Sequence, residues 1–497
     1  MRWINSAIPL KTLGLGAALL TGLALAGCAA NSAGPSGEPD TGLSADRGAA
    51  ADRLEQVRDD PVRLRRFLES FPKGGDIHNH LVGAIYAETW LDWAAEDGLC
   101  IDTDGPALRD PGTESCAAKG LKKADAALEN EDLRRRFING ASLRSFVPEN
   151  GWSGHDQFFR SFNRLAAKPD RLGDMLAVVS RRAARQNTLY LELMHTLVLP
   201  ELYALVDDVR MTGDPKEDAG RLMASALGAE MERLADSIET QLDAGLARRR
   251  DLLDCDTPMP EPGCDVEIRF LHQVLRDQPP AVVYAQMILG WRVIDSHRAL
   301  VGLNLVAPED GHIALRDYTQ HMKMLAQLRA DQGARPLSLH AGELTLGLVR
   351  PKNLRFHIGE AIEVAGAQRI GHGVAIPYED DSAGLLDRMA EDGIAVEINL
   401  TSNAVILGVS GDDHPLPLYR AAGVPVTLST DDEGVSRIDL THEYMRAVQT
   451  FGLSYEELKD ISRNALRHAF VDEEARSRLL RALERRFQAF EADYAGS

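Results

Sequence analysis

Two rhythms of apolar residues alternate along the chain. Short β-branched or apolar runs end in polar residues, and stretches with apolar positions every three to four residues follow them. Eight such runs occur: KGGDIHNHL (73–81), TLYLELM (188–194), EIRFLHQVL (267–275), LVGLNLV (300–306), PLSLHAGE (336–343), AQRIGHGV (367–374), IAVEINLTSN (394–403) and PVTLSTDD (425–432). Intervening segments such as 313–330 and 379–392 read as helices. Eight alternations of strand and helix predict an α/β fold with a parallel sheet, closed as a (β/α)8 TIM-type barrel. An open doubly wound sheet is the alternative. No GxGxxG follows any run, which removes the usual cofactor reason for that topology.

The last six runs recur about every 30 residues, the helix-plus-strand repeat of such a barrel. The first two intervals are far longer, so insertions are expected after the first and second strands, near 96–170 and 200–262. The final stretch, 455–495, carries an apolar helical stripe (Leu458, Ile461, Leu466, Phe470, Leu479, Leu483, Phe487, Phe490) and predicts a last barrel helix with a C-terminal helical extension. No internal repeat is evident.

The N-terminal region reads differently. Arg2 and Lys11 precede the apolar run TLGLGAALLTGLALA, which ends in small residues at Leu25-Ala26-Gly27-Cys28. The segment reads as a secretory signal, too short for a membrane span. Its ending resembles the bacterial lipobox, in which Cys28 would become the lipidated N-terminus; an ordinary signal with a chance cysteine is the other reading. Residues 29–52, rich in Gly, Ala, Ser and Pro, read as a flexible tether, and 53–497 as the folded domain. The expectation is an exported protein anchored to a bacterial membrane, periplasmic or cell-surface side, through the lipid on Cys28 alone. The other four cysteines form two local pairs, Cys100 with Cys116 and Cys255 with Cys264, one inside each insertion. Export permits disulfides there, and a long excursion with little core benefits from a crosslink. Four free thiols remain the alternative, since sequence does not fix connectivity.

Composition narrows the partners. Hydrophobic residues make up 44% and charged residues 26% of the 497, ordinary for a protein with a full core. The formal net charge of −20 argues against nucleic acid, and mildly favours a nucleoside over a nucleotide.

The polar ends of the runs carry the chemistry. His78 and His80 are i and i+2 on a strand and point the same way, so they can chelate one ion; a pair of buried, hydrogen-bonded histidines is the bland alternative. His340 and Glu343 end SLHAGE, His372 lies in RIGHG, and Asp431 and Asp432 lie in STDDE. A barrel gathers all these strand ends on one face. His78, His80, His340 and Asp431 would then suit a borderline cation such as zinc, with Glu343 and His372 close by as titratable groups.

With GGDIHNHLVGA, SLHAGE, RIGHG and LSTDDE in this order, the chain resembles the adenosine deaminase family of the metal-dependent amidohydrolases from about residue 73 to about 445. The lipid signal and the long first insertion are similar to the exported, growth-factor-like branch. The resemblance implies zinc held by His78, His80, His340 and Asp431. It implies Glu343 as proton donor to purine N1, His372 as the group that orients and deprotonates water, and Asp432 as the partner of N7. His80 and the backbone N–H of Ala307 would border the substrate. Binuclear amidohydrolases often carry a lysine on the fourth strand; here Asn304 stands in a lysine-free run, so one zinc per chain is expected. The family's sugar-binding acid is replaced by Val82, which leaves the exact nucleoside open. Trp152, His155 and Asp156 could supply a sugar contact or pack as a lid, and Glu192 and His195 are weaker pocket-wall candidates. The expected function is zinc-dependent hydrolytic deamination of adenosine or 2′-deoxyadenosine in purine salvage outside the cytoplasm. Deamination of another 6-aminopurine, such as adenine or a modified nucleoside, is one alternative. A non-catalytic nucleoside-binding surface lipoprotein is the other. The H-x-E and P-C-x-x-C signature of nucleic-acid deaminases is missing.

Overall fold

The structure, a computed structural model, describes residues 41–165 and 169–495. The expected signal at 1–28, Cys28 included, and positions 29–40 of the expected tether lie outside the described residues.

Eight parallel strands form the centre: β1 (Lys73–His80), β2 (Thr188–His195), β3 (Glu267–Leu275), β4 (Leu300–Val306), β5 (Ser338–Ala341), β6 (Arg369–His372), β7 (Ala395–Ile398) and β8 (Val426–Leu428). The first four pair in sequence order, and so do the last four. Parallel bridges Leu303↔Leu337 and Asn79↔Asp431 join the two sets. The sheet therefore closes as the expected TIM-type barrel, and the open alternative falls away. The seam between β1 and the loop after β8 is polar: His80 N–H donates to Asp431 O at 2.8 Å, Asp431 N–H to His78 O at 3.0 Å, and the Thr430 hydroxyl to Asp76 at 2.6 Å. Strands β2, β5, β6, β7 and β8 are almost wholly buried, because one face fills the barrel and the other meets helices.

The last four strands end earlier than their apolar runs suggested. At the ends of β5 and β6, and three residues beyond β8, Gly342, His372, Gly373 and Asp431 adopt positive φ (74°, 65°, 60° and 60°), so the backbone turns at these polar motifs. Helices Pro280–Ser296, His312–Gln332 and Ser382–Glu391 follow β3, β4 and β6.

The first connection, 81–187, holds a helix at Ala87–Glu96, a three-stranded antiparallel ribbon (Cys100–Ile101, Leu108–Arg109, Lys122–Lys123) and α1 (Gly154–Phe162). A Cys100–Cys116 disulfide ties the ribbon. The second, 196–266, includes the long helix Ala226–Leu252 and a Cys255–Cys264 disulfide. At the C-terminus, Tyr455–Arg467 and Glu473–Ala492 bury Leu458, Ile461, Leu466, Leu479, Leu483, Phe487 and Phe490.

One boundary is corrected. A helix spans Thr41–Val57, across the end of the expected tether at residue 52, and buries Ala50, Leu54 and Val57. The i, i+4, i+7 spacing of these three gives the segment an apolar face, so the folded domain begins upstream of residue 53.

Candidate active site

His78 and His80 leave the C-terminal end of β1, His340 lies on β5, and Asp431 follows β8. Their ligand atoms meet: Nε2 of His340 is 3.1 Å from Nε2 of His78 and 3.3 Å from Nε2 of His80, and Asp431 Oδ1 is 3.1 Å from Nε2 of His80. One donor atom from each of the four residues lies within 4.8 Å of all the others. Three imidazole nitrogens and a carboxylate oxygen turned toward one point make a tetrahedral-type donor set for a divalent ion.

Each ligand is turned by a partner on its far side. Nδ1 of His78 pairs with Glu397 at 2.6 Å, Nδ1 of His80 with Gln273 at 2.9 Å, and Nδ1 of His340 with Asn304 at 2.8 Å. The Ser402 hydroxyl donates to Asp431 Oδ2 at 2.5 Å. Occupying Nδ1 fixes each ring with Nε2 inward, as metal-binding histidines require. Glu397 is itself held: Arg369 Nε donates to it at 2.5 Å, and Arg369 Nη2 donates to Glu192 at 2.6 Å. Burial would raise the Glu397 carboxyl, but the Arg369 charge and the bonds from His78 and Ser338 bring it down to about 2. Gly371 sits where a Cβ would lie 2.6 Å from His78 Cε1, so a side chain there would push the ring away.

Three further groups face the same point. Burial raises the Glu343 carboxyl well above its usual range, and the Asp431 and Glu309 charges add to the effect, which favours its protonated form. Glu309 fixes the turn that carries it, accepting N–H bonds from Gly342 and Glu343 at 3.0 and 2.7 Å. His372 lies between the amides of Asn403 (2.9 Å) and Asn399 (3.4 Å), and Glu343 is 3.7 Å away. Burial pushes its imidazole down to about 3, which keeps it neutral. Burial also raises Asp432 well above its usual value, and its Oδ1 is buried without a hydrogen-bond partner. His372 and Asp431 adopt left-handed backbone, a strain that clusters at working sites.

The adenosine deaminase family profile matches residues 142–486, more than half of the chain.

The chain belongs to the adenosine deaminase family. The family is metal-dependent, and this donor set fits that requirement. The matched region holds His340, Glu343, His372 and Asp431; His78 and His80 precede it, and the fold brings them in. An adenosine deaminase of Clostridium perfringens is 32% identical over 190 residues, covering 38% of this chain and 54% of that protein. An adenine deaminase of Rhizobium leguminosarum is 35% identical over 187 residues, 37% of this chain and 52% of its own length. The chain thus spans about half the length of the curated relatives it matches. Among solved structures, a zinc-bound amidohydrolase from Burkholderia ambifaria superposes with TM-score 0.54 at 18% identity, over 87% of this chain and 95% of that one. An Arabidopsis N6-mAMP deaminase gives TM-score 0.54 at 21% identity, over 84% and 99%.

A cavity of about 520 Å³ opens over the donor set. His80, His340, Glu343, Asp431, Asp432 and Ala307 reach it from the strand ends, and Phe158, Phe159 and Phe162 of α1 form its outer wall with Val82, Leu275 and Pro308. Gly83 gives Asp432 its room, since a Cβ there would overlap the carboxylate. Asn163, Thr196, Gln273, Asp277 and Gln278 add polar lining.

Several candidate positions sit elsewhere. Trp152, His155 and Asp156 line a neighbouring cleft and not this cavity. Trp152 donates to Gln157, His155 pairs with Asp310, and Asp156 caps α1 through Ser153. Glu192 is fully buried on the far side, bonded to Arg369 and Tyr190, because its side chain points away from the mouth. His195 is not among the lining residues either. The orienting residues Glu397, Gln273 and Ser402, and the turn-holding Glu309, escaped the sequence reading. Glu397 alternates with apolar residues inside a strand run, and that was the available signal.

Proposed function

We propose that this protein is a zinc-dependent hydrolase that deaminates adenosine and 2′-deoxyadenosine to inosine and 2′-deoxyinosine, releasing ammonia. The observation that carries the reading is one cavity that joins a three-histidine, one-aspartate donor set to the buried Glu343 carboxyl and an unpartnered Asp432 oxygen. His78, His80, His340 and Asp431 would hold one zinc, which when bound supplies a Lewis acid that makes water nucleophilic at neutral pH.

The chain's own groups supply the rest. Addition of water at C6 breaks the aromaticity of the purine, and a proton delivered to N1 offsets part of that cost. Glu343 carries that proton because burial keeps it neutral. His372, also neutral, is placed to take a proton from the attacking water and pass it toward the departing amine. Purine N7 is a hydrogen-bond acceptor, so its partner must donate, and the raised carboxyl of Asp432 can do so.

Sugar recognition falls to a different residue than in the family pattern. Val82 offers no hydrogen bond. Among the cavity's carboxylates, Glu343, Asp431 and Asp432 are committed below, and Asp277 remains, so we assign it to the sugar hydroxyls. Among the described residues no lysine or arginine lines the cavity, which suits a neutral nucleoside. The reaction is placed outside the cytoplasm, on a chain anchored by lipid at Cys28. The two disulfides support an oxidising compartment.

The test is a panel of adenosine, 2′-deoxyadenosine, adenine and N6-methyladenosine, followed by loss of absorbance near the adenine maximum on zinc-loaded protein. The two nucleosides should turn over fastest. Turnover of adenine with adenosine untouched would replace the nucleoside assignment. Binding of adenosine with no turnover of any compound would reduce the protein to a nucleoside-binding surface.

A further inference from the structure

Beside the catalytic cavity lies a second cleft, of about 530 Å³, built wholly from the first insertion. Phe159 and Asn163 line both spaces and form the ridge between them. Among the described residues the catalytic side has no lysine or arginine in its lining, whereas this side has three arginines: Arg109, Arg160 and Arg164.

In a chain of net charge −20, these three guanidinium groups line one cleft with no ion pair among the described residues. Arg109 donates to the carbonyls of Leu108 and Asn163, and Arg164 to the carbonyl of Pro106. Arg160 lies over the Trp152 ring, 5.0 Å from its centre. The Nε of Arg164 is buried without a partner. Burial lowers the Arg164 guanidinium, and the charges of Arg160 and Arg109 lower it further against the smaller opposing effect of Asp102, so the three feel one another. The one carboxylate in the lining, Asp156, is engaged by the backbone and hydroxyl of Ser153. His155, with its Nε2 on Asp310, completes the wall.

We propose that this cleft is a binding site for a phosphate group, taken either from a phosphorylated purine substrate that extends over the Phe159–Asn163 ridge or from a free phosphate. Like charges gathered at one place, with planar forks whose N–H groups are incompletely used, match a dianionic oxyanion in both charge and geometry. The inference rests on the deaminase reading for the first source and is independent of it for the second.

The experiment uses the zinc-loaded full chain, the Arg109→Ala/Arg160→Ala double variant, and the single variant Arg160→Gln in case the double variant does not fold. Two probes are followed at low salt: deamination of adenosine and of AMP, and calorimetric titration with inorganic phosphate. If the phosphate arrives on the substrate, AMP loses about tenfold or more in kcat/KM on substitution while adenosine stays within about twofold. If it arrives free, AMP is not turned over, yet inorganic phosphate binds the unsubstituted chain one-to-one and about tenfold or more weaker to the variants. Equal phosphate affinity and equal AMP turnover in all proteins, or no binding in any, overturns the site. Failure of adenosine turnover in the unsubstituted chain would sink the deaminase reading instead and leave the titration to judge the cleft.

Discussion

The floor and the rim of the catalytic cavity are made in opposite ways. The floor is assembled from strand ends of a closed barrel. Every donor there is fixed by a second group: His78 by Glu397, His80 by Gln273, His340 by Asn304, Asp431 by Ser402. The rim comes from connections: three phenylalanines of α1, Thr196 after β2, and Asp277 and Gln278 after β3. A rigid floor holds reacting atoms in place, whereas a rim on insertions can be exchanged without disturbing the barrel. Chemistry and selectivity are thus carried by separate parts of the molecule, and substitutions should separate them.

The sharpest break is expected at the floor. His340→Ala removes the donor shared by both β1 histidines and should abolish stoichiometric metal binding, with activity falling about 10⁶-fold or to the assay floor; metal analysis after dialysis checks it. Full activity with full metal content would mean that the donor set is not the working site. Next, Glu343→Gln keeps the shape and removes the proton, so kcat should fall about 10²- to 10⁴-fold while metal content stays near one per chain. Near-normal turnover would refute the proton-donor role.

Smaller effects test whether the second group behind each ligand matters. Glu397→Gln should weaken zinc binding by about 10- to 100-fold, read by competition with a chelator, and should restore activity at high zinc. Unchanged affinity would make Glu397 a structural partner of Arg369 alone. At the rim, Asp277→Asn should lower kcat/KM for adenosine about tenfold and leave the response to adenine unchanged. A parallel fall for both compounds would remove Asp277 from sugar recognition.

The same division explains what could be read from sequence. The barrel was legible because each strand end pairs an apolar run with a short polar motif, and HxH, HAGE, GHG and TDD keep their chemistry in consecutive letters. The rim was not legible in that way. Trp152 and His155 looked like pocket residues by composition, but Trp152, just before α1, and His155 on it line the arginine cleft, while Phe158 and Phe162 face the cavity and Phe159 stands between the two. Helix phase in an insertion is set by tertiary contacts that no local pattern encodes. Glu192 misled for a similar reason: a carboxylate in a strand run can serve either face, and here it is bonded to the buried Arg369. The strand boundaries ran long because a left-handed residue such as Asp431 is invisible in a propensity reading. The helix Thr41–Val57 was hidden by its own alanine-rich composition, which a tether shares.

The seam between β1 and the loop after β8 has a consequence for how the protein comes alive. His78 stands near the start of the barrel and Asp431 near its end, and they become neighbours through the Asn79↔Asp431 bridge. A nascent chain therefore owns no complete chelate until its final strand has docked, and cation capture must come late in maturation. An ion held by the four donor residues would act as a clasp across the closure, so a chelator should lower the melting temperature as well as the turnover.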